Sequence, residues 1–129
     1  MLRTLIGLWF CLVAGISAAA PAAAPVRGEI DALLAALQTS GCEFQRNGSW
    51  HGAAQARTHL LRKLEYIEKR STLPSAEKFI ELAASSSSAS GQTYQVRCSG
   101  TVQPSAQWFG KQLEKIRATG GPAAPSAAR

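Results

Sequence analysis

The chain has 129 residues and carries 14 Lys and Arg against 8 Asp and Glu, a formal net charge of +6. That length supports one modest hydrophobic core, not two. The positive balance favours acidic partners such as anionic head groups, polyanions or acidic proteins. The basic residues are scattered, with no run of Lys or Arg that would make a strip.

The N-terminus reads as a targeting segment. Arg3 supplies a positive n-region, and Leu5 to Ile16 is an apolar run of the usual h-region length. Ser17-Ala18-Ala19-Ala20 offers a small-residue cleavage site, and Ala22-Ala23-Ala24 offers a second. Residues 1–20 are expected to be a signal peptide, cut after Ala20 or Ala24. The competing reading is an uncleaved anchor, but the run falls short of the ~20 residues a spanning helix needs. Cys11 lies inside the run, and no lipobox precedes a cysteine. The expected location is therefore periplasmic or secreted, with no stable membrane span after cleavage and no nucleic acid as partner. Loss of Arg3 takes the net charge from +6 to +5.

Residues 21–27, rich in Pro and Ala, read as a flexible lead. A helix is expected from about Gly28 to Ser40, with Ile30, Leu33, Leu34 and Leu37 on one stripe. Glu29 and Asp31 fall in its first turn, where the helix dipole favours acids. Gly41 suits a left-handed C-terminal cap. Cys42 and Phe44 then alternate with Glu43 and Gln45, the pattern of a half-buried strand. Asn47-Gly48 is a strong hairpin signal. A two-residue loop would pair Gln45 with Trp50 and leave the indole on the outer face. A three-residue loop over Arg46 to Gly48 would pair Phe44 with Trp50, both facing the core. The gain from burying a Trp favours the second pairing, or a turn directly into the next helix.

A long helix from about Ala53 to Arg70 has Ala53, Ala56, Leu60, Leu64 and Ile67 as its apolar stripe. Thr72-Leu73-Pro74 breaks the chain, and Ser75 is the natural N-cap of a third helix. Ala76, Phe79, Ile80 and Ala83 make that helix's buried face. Ser85 to Gly91 reads as a flexible serine-rich connector. Tyr94, Val96 and Cys98 alternate with Gln95 and Arg97 in a second strand. Pro104-Ser105 opens a last helix with Ala106, Phe109, Leu113 and Ile116 inward, and Trp108 beside Phe109 is expected in the core. Residues 119–129 read as a disordered tail. No internal repeat is visible.

With Cys11 removed, Cys42 and Cys98 remain, each on the apolar face of its strand and in an oxidising compartment. A Cys42–Cys98 bridge would close a loop of about 55 residues and contribute roughly 4 kcal/mol on the chain-entropy model. Two free buried thiols are the competing reading. The expected fold class is α+β: residues 28–118 as a single disulfide-tied domain of four helices with a small antiparallel hairpin or strand pair.

In order along the chain stand Cys42-x-Phe44-x-Arg46-Asn47-Gly48, then Ala56-x-x-His59-Leu60-x-x-Lys63 and Ser75-Ala76-Glu77-x-Phe79-Ile80. Ser90-Gly91-x-x-Tyr94-x-Val96-Arg97-Cys98 and a closing helix with Trp108 complete the series. This order resembles a family of small exported bacterial proteins known only as a domain of unknown function, and it covers most of the mature chain. Members of that family commonly have Thr where Ser75 stands, and a less monotonous serine loop. The resemblance implies a periplasmic protein made with a signal peptide, and it implies no activity.

Stepping about 100° per residue from Leu60 places His59, Lys63, Tyr66 and Arg70 along one flank of the long helix. That row of donors with an aromatic among them suggests an anion-binding ledge for a carboxylate, a phosphate or an acidic surface. Arg46 at the hairpin, Ser90 and Tyr94 around the serine loop, and Arg97 on the last strand would extend it. The plainer alternative is a solvated helix border whose long side chains cover the core edge.

Catalytic patterns are all incomplete. Ser75-x-x-Lys78 lacks its companion motifs. His51 and His59 lack the further ligands of a zinc set. Asp31 is the only aspartate, and no G-x-S-x-G elbow accompanies it. Glu65 with Glu68, and Glu77 with Glu81, sit beside Arg62, Lys69 and Lys78 and suit solvent ion pairs. The expectation is a non-enzymatic binding or accessory module with no catalytic residue, metal or cofactor. Its partner would be an anionic small molecule or an acidic envelope protein. The alternative is an inhibitor of an envelope hydrolase, or a small hydrolase. Ser90-Gly91-x-x-Tyr94 is similar to the loop that periplasmic lysozyme inhibitors insert into their target, although a basic inhibitor of a basic lysozyme is electrostatically disfavoured.

Overall fold

The computed structural model describes residues 24–121. The expected signal peptide, residues 21–23 of the lead and the tail from residue 122 lie outside the described residues. In chain order the elements are α1 (Ala24–Thr39), β1 (Glu43–Arg46), β2 (Ser49–Gly52), α2 (Ala53–Glu68), α3 (Ala76–Ala83), β3 (Gln95–Cys98), β4 (Thr101–Pro104) and α4 (Ser105–Ala118). The fold is α+β, with four helices and a four-stranded antiparallel sheet.

Helix α1 begins at Ala24 and not at Gly28. Pro25 is compatible with a first turn, where its missing N–H has no intrahelical partner to lose. Arg27 ties that turn down by pairing with Asp31 (2.9 Å) and Glu68 (2.8 Å). Residues 24–27 are therefore helix and not flexible lead. The earlier start also moves Glu29 and Asp31 beyond the first turn, and Glu29 pairs with Arg117 (2.8 Å) instead. Ser75 caps α3 as expected, its Oγ accepting from the Lys78 N–H at 3.1 Å. The supposed tail starts with order, because the Gly121 N–H donates to the Ile116 carbonyl (2.7 Å) and closes α4.

The strands lie in the order β2-β1-β3-β4. The sequence offers no strand pattern for β4, because Thr101-Val102-Gln103 before a Pro is too short an alternation to register. The β1–β2 hairpin takes the two-residue loop, pairing Gln45 with Trp50 and Phe44 with His51. This corrects the expected three-residue loop. Asn47 (φ 51°) and Gly48 (φ 80°) are both left-handed, the type I′ geometry whose twist matches the flanking strands. Trp50 does lie on the outer face, yet half-buried. The Arg97 guanidinium sits 4.0 Å from its ring centroid, and Arg97 pairs with Glu43 at 2.8 Å. A stacked cation covers the indole without bringing it into the core, which is why the burial argument failed.

On the inner face Phe44 and Val96 are fully buried beneath the helices. Helix α2 folds back over β1 and β2, while α4 folds back over β3 and β4. Helix α1 packs against the three other helices with Ile30, Leu33, Leu34 and Leu37. Leu60 and Leu64 from α2, Phe79 from α3, and Trp108 and Phe109 from α4 complete the core. Each such side chain contributes roughly 1.5–3 kcal/mol by burial. Cys42 and Cys98 are bonded, with Cα atoms 4.5 Å apart. They stand directly opposite each other when the β1–β3 register is continued past Glu43 and Arg97.

The element order helix–strand–strand–helix occurs twice. The second turn, Ser99-Gly100, repeats the first 52 positions on (47 to 99, 48 to 100), again with two positive φ angles, 49° and 82°. The hairpin registers coincide under that shift, Phe44 with His51 becoming Val96 with Gln103. Phe44 also pairs with Val96 across the central antiparallel strands, so the two halves are related by a pseudo-two-fold axis through that pair. No sequence signal marks the repeat. The halves differ where α3 is shorter than α1 and a longer loop follows it: residues 40–42 join α1 to β1, but 84–94 join α3 to β3.

Candidate functional site

That longer loop is folded, and not the flexible connector its serines suggest. Ser86 bridges Thr93 in antiparallel fashion, the Ser87 N–H donates to the Gln92 carbonyl (2.9 Å), and the Tyr94 N–H donates to the Ser85 carbonyl (2.9 Å). The buried Ser87 Oγ accepts from the N–H groups of Ala89 (3.3 Å) and Ser90 (3.2 Å), tightening the tip. Ser90 Oγ donates to Asn47 Oδ1 at 2.8 Å. The loop tip is thus tethered to the β1–β2 turn, and both stand beside the flank of α2.

Tyr94 joins the three pieces. Its ring packs on Phe44 with centroids 5.1 Å apart, and the residue is only 2% exposed. Lys63 Nζ donates to the Tyr94 hydroxyl (3.2 Å) and to the Ser86 carbonyl (2.9 Å). His59 Nε2 lies 3.2 Å from the same hydroxyl. An ammonium can only donate, so the phenol oxygen accepts from Lys63, and its own hydrogen is free to go to His59 Nε2 when the imidazole is neutral and protonated at Nδ1. The electrostatics agree. Burial, reinforced by the charges of Arg46, Lys63 and Arg62, pushes the His59 pKa down to about 4. Burial also lowers the Lys63 ammonium from its usual range. It raises the Tyr94 phenol, with Arg46 opposing.

Two hollows open around this triad. The smaller, about 230 Å³, is lined by Arg46, Asn47, His59, Lys63, Tyr94 and the loop residues Ser87 to Ala89. The larger, about 490 Å³, runs along α2 past Arg62, Tyr66, Ile67, Arg70 and Ser71, with Leu82 of α3 on the far side. His59, Lys63 and Ser88 belong to both, so the hollows are contiguous. No Asp or Glu lines either one. Among the described residues, Arg46, Arg62, Lys63 and Arg70 form no ion pair with a carboxylate.

The structure brings together His59, Lys63 and Tyr94 in direct contact, with Arg46 and Tyr66 in the adjoining walls and Ser90 at the rim. It does not bring in Arg97, which lies on the outer face of the sheet with Trp50 and Glu43. Arg62 was expected in solvent ion pairs and lines the larger hollow instead. Glu68 and Glu77 take Arg27 and Arg117 as partners, while Lys78 keeps Glu81 (3.1 Å) as the spacing suggests. Leu82 and Asn47 carry no signal of their own. An exposed leucine on a short helix, and an Asn already claimed by a turn, both read as ordinary.

The comparisons with known proteins agree with the resemblance seen in the motifs. The chain is 37% identical over 89 residues to the Uncharacterized protein YfeK of Salmonella typhimurium (strain LT2), a match covering 65% of this chain and 72% of that protein. No solved structure matches it. The model of the Family of unknown function (DUF5329) matches residues 24–117, from the start of α1 almost to the end of α4, and the chain belongs to that family.

Proposed function

We propose that the protein is a non-enzymatic binding module that recognises an anion at the junction of α2, the β1–β2 turn and the serine loop. The observation that carries this reading is a concave site with several cationic side chains and no carboxylate in its walls. A burial-weakened lysine gains when an anion enters, because the negative charge restores the stabilisation that desolvation removed. The remaining N–H of Lys63, the His59 Nδ1–H and the Arg46 guanidinium are the donors left for it. The proposal includes export to the periplasm or beyond. The Cys42–Cys98 disulfide supports an oxidising compartment. Tyr94 is buried, so in the Ser90-Gly91-Gln92-Thr93-Tyr94 string it is the loop residues before the ring that face a partner.

The test is calorimetric titration of the purified protein with acetate and with inorganic phosphate, alongside Lys63→Met and Arg46→Met. Saturable binding that weakens as salt rises, and that drops at least tenfold in both variants, is expected. Equal binding by the variants, or none by the wild type, would refute the site.

A further inference from the structure

Resting on that anion reading, we infer that the bound anion carries an apolar chain: the site takes a small amphipathic carboxylate, head in the smaller hollow and tail in the larger. Three large apolar side chains are prominently exposed among the described residues, namely Tyr66 (60%), Leu82 (42%) and Val102 (51%). Two of the three line one hollow, and they do so from different helices. Isolated exposed apolar residues are ordinary, but two converging on a concavity beside Ile67 form an unfilled apolar wall.

Tyr66 is also held in place. The Arg70 guanidinium stacks 3.6 Å from its ring centroid while Arg70 Nη1 donates to the Tyr66 carbonyl (3.0 Å). The wall is thus preorganised and does not have to be assembled on binding.

Size and charge narrow the occupant. A hollow of about 490 Å³ is of small-molecule scale. Along α2 and the turn that follows it, Lys63 and Arg70 are separated by ~10 Å at a helical rise, the reach of an octyl chain. The donors at the head end suit a carboxylate, which a guanidinium fork holds in two parallel bonds. The charges of Arg62 and Arg70 beside the tail hollow add attraction during approach.

The experiment titrates full-length protein with acetate, butanoate, octanoate, octanol and octyl phosphate. Each methylene that enters the larger hollow is expected to tighten binding roughly three- to fourfold, so octanoate should bind at least tenfold tighter than acetate. Leu82→Ser, a surface substitution on α3, should remove much of that gain and leave acetate affinity unchanged, and Tyr66→Ser should cut the gain as well. Octyl phosphate binding more weakly than octanoate would support the carboxylate head, and tighter binding would overturn that choice. Octanoate and acetate binding alike would overturn the inference while leaving the anion reading intact. Failure of every anion would remove both. Octanol matching octanoate would show an apolar groove indifferent to charge, and a free peptide C-terminus displacing octanoate at lower concentration would reassign the site to a polypeptide. Either result overturns the proposal.

Discussion

Tyr94 does two jobs with two parts of one side chain. Its ring belongs to the core against Phe44, and its hydroxyl collects Lys63 and His59 at the edge of that core. Tyr94→Phe keeps the ring and strands the Lys63 proton. A loss of about 1 kcal/mol in urea unfolding is expected, together with weaker anion binding. His59 gives a pH signature. Its folded pKa of about 4 lies below the ordinary 6.5, so between those values the unfolded chain binds a proton that the folded state refuses. Stability therefore falls as pH drops through that window. Thermal melts across it should show a shallower fall for His59→Gln than for the wild type. Parallel slopes would contradict the neutral imidazole. At the alkaline side, anion binding should fade below the usual lysine range, since Lys63 loses its charge early.

At the level of elements, the two type I′ turns fix which side chains face the helices. Gly48 at φ 80° has open space around it, so a methyl group there meets no clash and only the backbone objects. Gly48→Ala should cost about 1–2 kcal/mol for that reason, measured by denaturant midpoint at unchanged slope. These elements also show what the sequence can and cannot reveal. The helical stripes are legible because burial repeats over several turns, as with Ile30 to Leu37 or Ala76 to Ala83. The flank of His59, Lys63, Tyr66 and Arg70 is legible on the same helical geometry. The turn type is legible in Asn47-Gly48, but the register also depends on Arg97, a partner on another strand that covers Trp50 and that no local pattern displays. The serine loop looked unstructured since its order comes from backbone bonds and from Ser87, which composition does not display. Arg97 was misplaced by a one-residue parity: its neighbours Val96 and Cys98 face inward, so it cannot.

For the molecule as a whole, a disulfide and a set of helix-end ion pairs join segments distant from one another in sequence. Arg117 of α4 joins Glu29 of α1 and Glu77 of α3, and Cys42 joins Cys98. These pairs are largely exposed and contribute little individually. The disulfide links residues 56 apart, and removing it with Cys42→Ser and Cys98→Ser should cost about 4 kcal/mol on the chain-entropy model, read as a lower urea midpoint. The structural likeness of the halves that it joins is not visible in the sequence, because equivalent positions hold unlike residues. Trp50 answers to Val102, His51 to Gln103, and Cys42 to Tyr94.

The last of those equivalences reaches furthest. Shifted by one half of the molecule, Cys42 and Cys98 land on Tyr94 and Arg46, which face each other at the other end of the central strands. One location is a covalent closure, and its two-fold equivalent lies in the proposed anion site. Replacing Arg46→Cys together with Tyr94→Cys should accordingly permit a second covalent link, visible by mass spectrometry before and after reduction. With Arg46 and Tyr94 both replaced, the variant should take up no anion whether oxidised or reduced, and the central strands would be clasped at both ends.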